Sequence, residues 1–275
     1  MDSFEPGQTR APKLRVEHVS LRFAGSKGAS IEVIRDVSFD LAEGEFVSIL
    51  GPSGCGKTSL VRIVDGLIVP QQGRVMIDGA PIAGPGPDRG FVFQSDRLFP
   101  WRTVRANIGF GLEVRRVPAS AIRPRIDELL ELTGLTGFAD AYPYQLSGGM
   151  RQRANLARAL IVDPAVLLMD EPFASLDAQT REIMQQELLR IWSDRRKTVL
   201  FITHQLDEAV YLSDRVIVMS ARPGQVKDSF TIDIPRPRAL ASKRTPQFSA
   251  YIDRIWGLLE EDVRRSMHFA GAISG

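Results

Sequence analysis

Gly51-Pro52-Ser53-Gly54-Cys55-Gly56-Lys57-Thr58 follows an apolar run, Phe46-Val47-Ser48-Ile49-Leu50, and precedes the apolar-rich stretch Leu60-Val61-Arg62-Ile63-Val64. The octet fits G-x-x-x-x-G-K-[ST], and its flanks predict a strand buried on both faces, a glycine-rich loop and a helix over about residues 57–66. A chance match in a chain of this length is on the order of one in a hundred before that setting is counted. Glycines let successive backbone N–H groups converge on phosphate oxygens, and a helix N-terminus adds partial positive charge. Lys57 is then expected to reach the β- and γ-phosphates, Thr58 to coordinate Mg²⁺, and Ser59 to bond the α-phosphate. Gly51, Pro52, Ser53, Gly54, Cys55 and Gly56 form the cradle. Cys55 is read as contributing its backbone N–H, with alkylation or oxidation of the thiol as the other reading.

Working outward, Val166-Leu167-Leu168-Met169 is a second buried strand, and it delivers Asp170 and Glu171 at its C-terminal end, the edge where open α/β sheets bind ligands. Neighbouring strand residues point to opposite sides. Asp170 is therefore expected in the Mg²⁺ shell and Glu171 against the water that attacks the γ-phosphate. His204 follows Val199-Leu200-Phe201-Ile202-Thr203 and falls on the same edge, as a γ-phosphate or water contact or as an ordinary surface histidine. Gln94 ends a strand predicted over residues 90–94, either ligating Mg²⁺ or capping a loop.

Around these motifs, residues 14–21 and 31–41 alternate apolar and polar as an antiparallel β element, with a flexible segment over 24–30 between them. Another strand is expected over 73–77, then a surface loop over 79–88. Helical periodicity takes over from 103 to about 162, with a helix over 121–133 and a stripe of Met150, Ala154, Ala157 and Ile161. Strands and helices then alternate: a helix over 178–196, a strand over 198–203, a short helix over 205–212 and a strand over 215–219. That rhythm predicts a mainly parallel sheet wrapped by helices, with an antiparallel β subdomain and a helical insertion.

Composition agrees. The 275 residues are 44% hydrophobic and 25% charged, enough for a single globular unit, and 35 Lys and Arg against 33 Asp and Glu leave no basic footprint for nucleic acid. One cysteine excludes an internal disulfide and fits a reducing compartment. Residues 1–12 contain no apolar run and read as a loose tail, and no stretch has eighteen apolar residues in a row, so any membrane link is expected to be indirect.

One further motif narrows the class. Leu146-Ser147-Gly148-Gly149-Met150-Arg151-Gln152-Arg153 opens a helix with Ser147 and two glycines, a second anion-gripping N-terminus remote from the first. Over about residues 14–233 the chain resembles the ATP-binding subunits of ABC transporters, whose signature this motif matches. The resemblance implies an ABC-type ATP hydrolase in which two subunits pack head to tail, Ser147, Gly148 and Gly149 of one covering the γ-phosphate held by the other. It implies ATP and Mg²⁺ as ligands, Gln94 as the Q-loop residue, Asp170 as the Walker B aspartate and Glu171 as the catalytic glutamate. Ser175, Leu176 and Asp177 take the place of the D-loop, and His204 that of the switch histidine. The aromatic that stacks on adenine is commonly a tyrosine; here Phe23 is the candidate, with a strand-end core aromatic as the other reading.

The stretch 84–90 and Leu98-Phe99-Pro100-Trp101 resemble bacterial importers of the nitrate, sulfonate and taurine group. That implies two transmembrane permease subunits, a coupling helix against residues 98–101, an indirect partnership with a periplasmic solute-binding protein, and a peripheral place on the cytoplasmic face of the inner membrane. An exporter motor, a soluble ABC protein acting on ribosomes or DNA, and a small-molecule kinase using the same phosphate loop, in which the signature would be idle, are the rival readings. A domain over 13–233 is expected to be followed by a basic linker, Pro235-Arg236-Pro237-Arg238, and an amphipathic helix with Phe248, Tyr251, Ile252, Ile255, Trp256 and Leu259 on one face.

Overall fold

The computed structural model describes residues 11–24, 30–95 and 97–272. Of the tail expected over residues 1–12 and the segment expected over 24–30, residues 1–10 and 25–29 lie outside the described residues. The strands are β1 (Leu14–Ala24), β2 (Ser30–Leu41), β3 (Phe46–Leu50), β4 (Gln72–Ile77), β5 (Ala80–Pro81), β6 (Arg89–Val92), β7 (Val166–Asp170), β8 (Thr198–Ile202), β9 (Arg215–Met219) and β10 (Val226–Thr231). The helices are α1 (Lys57–Val64), α2 (Val104–Val114), α3 (Ala119–Leu132), α4 (Gly148–Leu160), α5 (Ala178–Arg195), α6 (Leu206–Leu212) and α7 (Pro246–Ala272). Among the described residues no helix is long and apolar enough to cross a membrane.

Two sheets form. One runs β2-β1-β4-β5 and is antiparallel; the other runs β10-β9-β3-β8-β7-β6 and is parallel except for the β9/β10 pair. Every residue of β3, β7 and β8 is buried, which is why these segments read as unbroken apolar runs. Alternation within them divides two cores. Phe46, Leu167, Met169, Val199 and Phe201 pack toward the helical insertion, whereas Val47, Ile49, Leu168, Leu200 and Ile202 pack with α1 and the antiparallel sheet.

The insertion consists of α2, α3 and α4, and the expected stripe buries Ala154, Ala157 and Ile161. Several boundaries differ from the sequence reading, among them the following three. The strand expected over 90–94 stops at Val92, its last partner being Met169, so Phe93 and Gln94 lie beyond the ladder. The helix expected from residue 121 begins at Ala119, following Pro118. The strand expected from residue 73 begins at Gln72, with Gly73 at φ +81°, where an added Cβ would lie 2.2 Å from the carbonyl of Glu17.

Beyond β10 the basic segment is anchored rather than free. Arg238 is buried and donates to the carbonyls of Val210, Tyr211, Ser213, Ile232 and Ile234, and burial pulls its guanidinium down to about 10. Arg236 pairs with Asp214 at 2.7 Å. Helix α7 then buries Phe248, Ile255 and Leu259 in the main core, and the ring of Tyr251 stacks on Phe230. Trp256 is off that face, 47% exposed, because its place in the helix turns it away from the Ile255 side.

Candidate functional site

Strand order gathers the motifs. The loop after β3, His204 after β8, Asp170 and Glu171 at the end of β7 and Gln94 beyond β6 all lie at the C-terminal edge of neighbouring parallel strands. β3 has parallel partners on both sides, so the loop after it lies well inside the C-terminal edge, the edge at which open α/β sheets bind ligands.

The loop is shaped by close backbone approaches. Gly56 caps α1 at φ +107°, and a Cβ there would lie 3.0 Å from Ile34 and 3.1 Å from Val33. At Gly51 a Cβ would meet the Cys55 sulfur at 2.9 Å. Lys57 is buried, and its Nζ donates to the carbonyls of Gly51 at 2.7 Å and Pro52 at 3.0 Å. The ammonium is thus held over the loop. Cys55 is buried and burial pushes its thiol up, which leaves little thiolate for alkylation and favours the backbone role over the reactive one.

Opposite the loop, Thr58 Oγ1 donates to Asp170 Oδ1 at 3.2 Å. Burial raises the Asp170 carboxyl, and the Thr58 bond opposes that rise. Glu171 leaves the strand at φ +46°, a left-handed backbone that costs a side-chain-bearing residue about 1–3 kcal/mol, and its N–H donates to Ile202 O at 2.9 Å. This turn brings Glu171 Oε2 to 3.0 Å from His204 Nδ1. His204 is about half exposed and Glu171 partly so, leaving the pair open to solvent.

Gln94 is exposed. Phe23, at the end of β1, is 44% exposed and sits opposite Ile31, itself 43% exposed, so the core-aromatic reading of Phe23 is not what the fold adopts. Ser147 caps α4, accepting from Met150 N–H at 3.3 Å. Helix α4 packs on β6, which lies three strand spacings from β3, about 14 Å. The signature and phosphate loops therefore stand on different parts of the chain. The signature instead abuts the start of α5 and the segment before it: a Cβ on Gly148 would lie 3.4 Å from Leu176, and one on Gly149 would lie 3.1 Å from Thr180. Asp177 caps α5, accepting from Thr180 N–H at 3.0 Å, which holds its carboxyl below the usual range.

Sequence reasoning missed the loop after β9. Arg222 donates to Gly54 O from Nε at 3.3 Å and from Nη2 at 3.2 Å, and a Cβ on Gly224 would lie 2.1 Å from Cys55 O. This segment buttresses the phosphate loop from outside. Its signal was present in Ala221-Arg222-Pro223-Gly224, a turn at the end of a strand adjacent to β3.

A parallel sheet with a lysine-bearing phosphate loop, an acidic strand end and a histidine beyond the next strand defines a phosphate-loop nucleotide-hydrolysing protein. The family model for ABC transporters matches residues 34–174. The chain is 48% identical over 255 residues to an uncharacterized ABC transporter ATP-binding protein of Methanocaldococcus jannaschii, covering 93% of this chain and 94% of that one. It is 45% identical over 258 residues to a taurine import ATP-binding protein of Rhizobium johnstonii, covering 91% and 98%. Among solved structures it resembles a dimeric ATP-binding cassette in a post-hydrolysis state with ADP and phosphate, at TM-score 0.69 and 31% identity over 81% of this chain and all of that one. It also resembles a cassette of Clostridium perfringens that is part of an ABC transporter complex, at TM-score 0.72 and 28% identity, covering 81% and 90%. The chain belongs to the ATP-binding subunits of ABC transporters. It is an ATP-hydrolysing cassette of that family.

Proposed function

We propose that this chain energises import of a small solute of the nitrate, sulfonate or taurine kind. It does so as a peripheral subunit on the cytoplasmic face of a membrane, beneath two transmembrane permease subunits served by a periplasmic solute-binding protein. The observation that carries the catalytic part is the Glu171–His204 pair, 3.0 Å apart at the sheet edge that also bears the phosphate loop. Similarity to the taurine-import relative over 91% of the chain supports the direction of transport.

Residues 13–233 serve as the ATPase domain, and 234–275 form a C-terminal element that reinforces it. ATP enters at the phosphate loop with its adenine on Phe23. The Lys57 ammonium exchanges its carbonyl partners in the loop for β- and γ-phosphate oxygens, while backbone N–H groups from Gly51 to Ser59 take the rest. Thr58 and Asp170 offer two oxygens 3.2 Å apart, one a carboxylate whose burial favours a compensating positive charge, a donor pair suited to Mg²⁺. Gln94 would add a third oxygen. Mg²⁺ held there would draw charge from the phosphate oxygens.

Glu171 accepts a proton from the attacking water as its oxygen bonds to the γ-phosphorus and the bond to the β-bridging oxygen breaks, leaving ADP and phosphate. His204 holds Glu171 in place and faces the transferring group. Ser147, Gly148 and Gly149 of a second copy close the site, so two nucleotides lie between two subunits. Their closure pulls on the permease.

The permease contact falls at a cleft of about 710 Å³ lined by Phe91, Phe93, Phe99, Phe110, Arg62 and Arg97, with exposed Trp101 close by, its ring 5.5 Å from that of Phe99. Leu98 is buried in the main core instead of lining that wall. Isolation of the intact complex from membranes, identification of its solute-binding protein and reconstitution in vesicles test the assignment together. ATP-dependent uptake of a small solute of the nitrate, sulfonate or taurine kind is expected. Outward transport, or co-purification with nucleic acid and no permease, would overturn it.

A further inference from the structure

A line of largely buried polar side chains runs from the C-terminal segment to the turn that carries His204. Lys243, in the 3₁₀ turn Leu240–Arg244, donates to Gln185 Oε1 of α5 at 2.8 Å. Gln185 is fully buried and donates from Nε2 to Glu208 Oε1 of α6 at 3.2 Å. Glu208 is 3% exposed and accepts at Oε2 from Thr203 Oγ1 at 2.6 Å. Thr203 Oγ1 accepts in turn from Gln205 N–H at 3.0 Å, so this last bond spans His204. Arg181 adds a branch, donating to Gln205 Oε1 at 3.0 Å and to the carbonyl of Leu176 at 2.8 Å, in the segment that abuts the signature.

The polarity of the line is fixed at both ends. Lysine only donates, which turns the Gln185 oxygen toward Lys243 and its amide N–H toward Glu208, and the Thr203 hydroxyl, accepting from the Gln205 N–H, turns its proton to Glu208. Lys243 is held in register by Asp207 Oδ2 at 3.2 Å and by the Tyr211 ring at 4.9 Å. None of Lys243, Gln185 or Glu208 has a part in the proposed hydrolytic step, yet both buried side chains have hydrogen-bond partners, as a polar group removed from water must.

We propose that Lys243, Gln185 and Glu208 are positioning residues for His204. The C-terminal element fixes the turn from Thr203 to Gln205 and so aligns the imidazole with Glu171, while Arg181 makes the alignment respond to the segment beside the signature. This inference rests on the catalytic reading of Glu171 and His204.

The test compares Lys243→Met, Lys243→Arg, Gln185→Leu, His204→Ala and the double variant Lys243→Met/His204→Ala in the assembled transporter. Lys243→Met and Gln185→Leu are each expected to lower kcat about tenfold, the effect of losing one charge-assisted hydrogen bond in the transition state, with KM for ATP unchanged. Lys243→Arg is expected to restore most of the rate. In the His204→Ala background, Lys243→Met is expected to have no further effect. A full additional loss in the double variant, an unchanged kcat in Lys243→Met and Gln185→Leu, or a rise in KM with kcat retained would overturn the positioning role. Full turnover in the single His204→Ala variant would instead overturn the catalytic reading of His204, and is seen separately.

Discussion

Glu171 Oε2 lies 3.0 Å from His204 Nδ1, and the two residues stand just beyond adjacent parallel strands, β7 and β8. A left-handed turn at Glu171 and the Glu171 N–H bond to Ile202 O set that distance, so the pair is built by backbone geometry as much as by side-chain choice. Replacing Glu171 with Gln keeps the shape and removes the carboxylate proposed to accept the water proton. Turnover is expected to fall by about a hundredfold or more while ATP stays bound and closed dimers accumulate. Gel filtration with ATP, alongside phosphate release, reads both; a monomeric or fully active variant would sink the role.

Gly56 combines a φ of +107° with a Cβ position only 3.0 Å from Ile34. Gly56→Ala is therefore strained twice, by conformation and by crowding, and is expected to lower stability by about 1–3 kcal/mol. Because the shift falls in the loop itself, nucleotide affinity should drop further than stability does. Thermal unfolding with and without ATP separates the two: the ligand-induced rise in Tm should nearly vanish.

What could be read directly from the residues was local in sequence. The phosphate loop, the acidic strand end and the signature each place their chemistry within a few residues of a glycine, a cap or a strand end, and strand order brings them together. Arg238 carries no such local mark. Its five carbonyl partners lie four to twenty-eight residues away, so a segment that reads as a basic linker is in fact an interior anchor. Glu208 likewise looks like one acid in a short amphipathic helix, and only tertiary contact with Gln185 and Thr203 makes it a buried carboxylate. Arg222 was missed because its partner, Gly54 O, is 168 residues distant.

Glu208 predicts a pH effect on stability. Burial raises its carboxyl above the ordinary glutamate value, only partly offset by the bonds from Thr203 and Gln185. The folded state thus holds the proton at pH values where the unfolded chain has released it. This contribution is most favourable below the unfolded pKa, about 4.3, declines as pH rises through the raised folded value, and is flat above it. Glu208→Gln removes that dependence. Thermal unfolding of both forms from about pH 4 to pH 8 should show the native chain losing ground to the variant as pH rises; parallel curves would contradict this.

Trp101 is 72% exposed, with its ring near Phe99 at the rim of the aromatic cleft. An exposed indole of this kind contributes little to the fold of the free subunit but has a large area to bury against a permease. Trp101→Ala is expected to leave ATPase of the isolated subunit within about twofold and to reduce solute uptake by the complex tenfold or more. Equal losses in both assays would count against a coupling role.

Ser147 and Lys57 stand on different parts of one chain, the signature helix packing on β6 and the phosphate loop following β3 three strands away. On the proposed reading, a nucleotide gripped by the loop is completed by the signature of another copy. Hydrolysis should consequently depend on protein concentration, rate per subunit rising with concentration until dimers saturate, as an association equilibrium requires. Ser147→Arg places a long cation at the exposed cap of α4, where Met150 N–H now meets the hydroxyl. This variant is expected to bind ATP like the native chain, because its own phosphate loop is untouched. It should nevertheless hydrolyse at least about a hundredfold more slowly, with no recovery on concentrating the protein. ATP titration calorimetry set against a concentration series of phosphate release distinguishes the cases. A native rate per subunit that is flat with concentration would mean that one copy completes its own site.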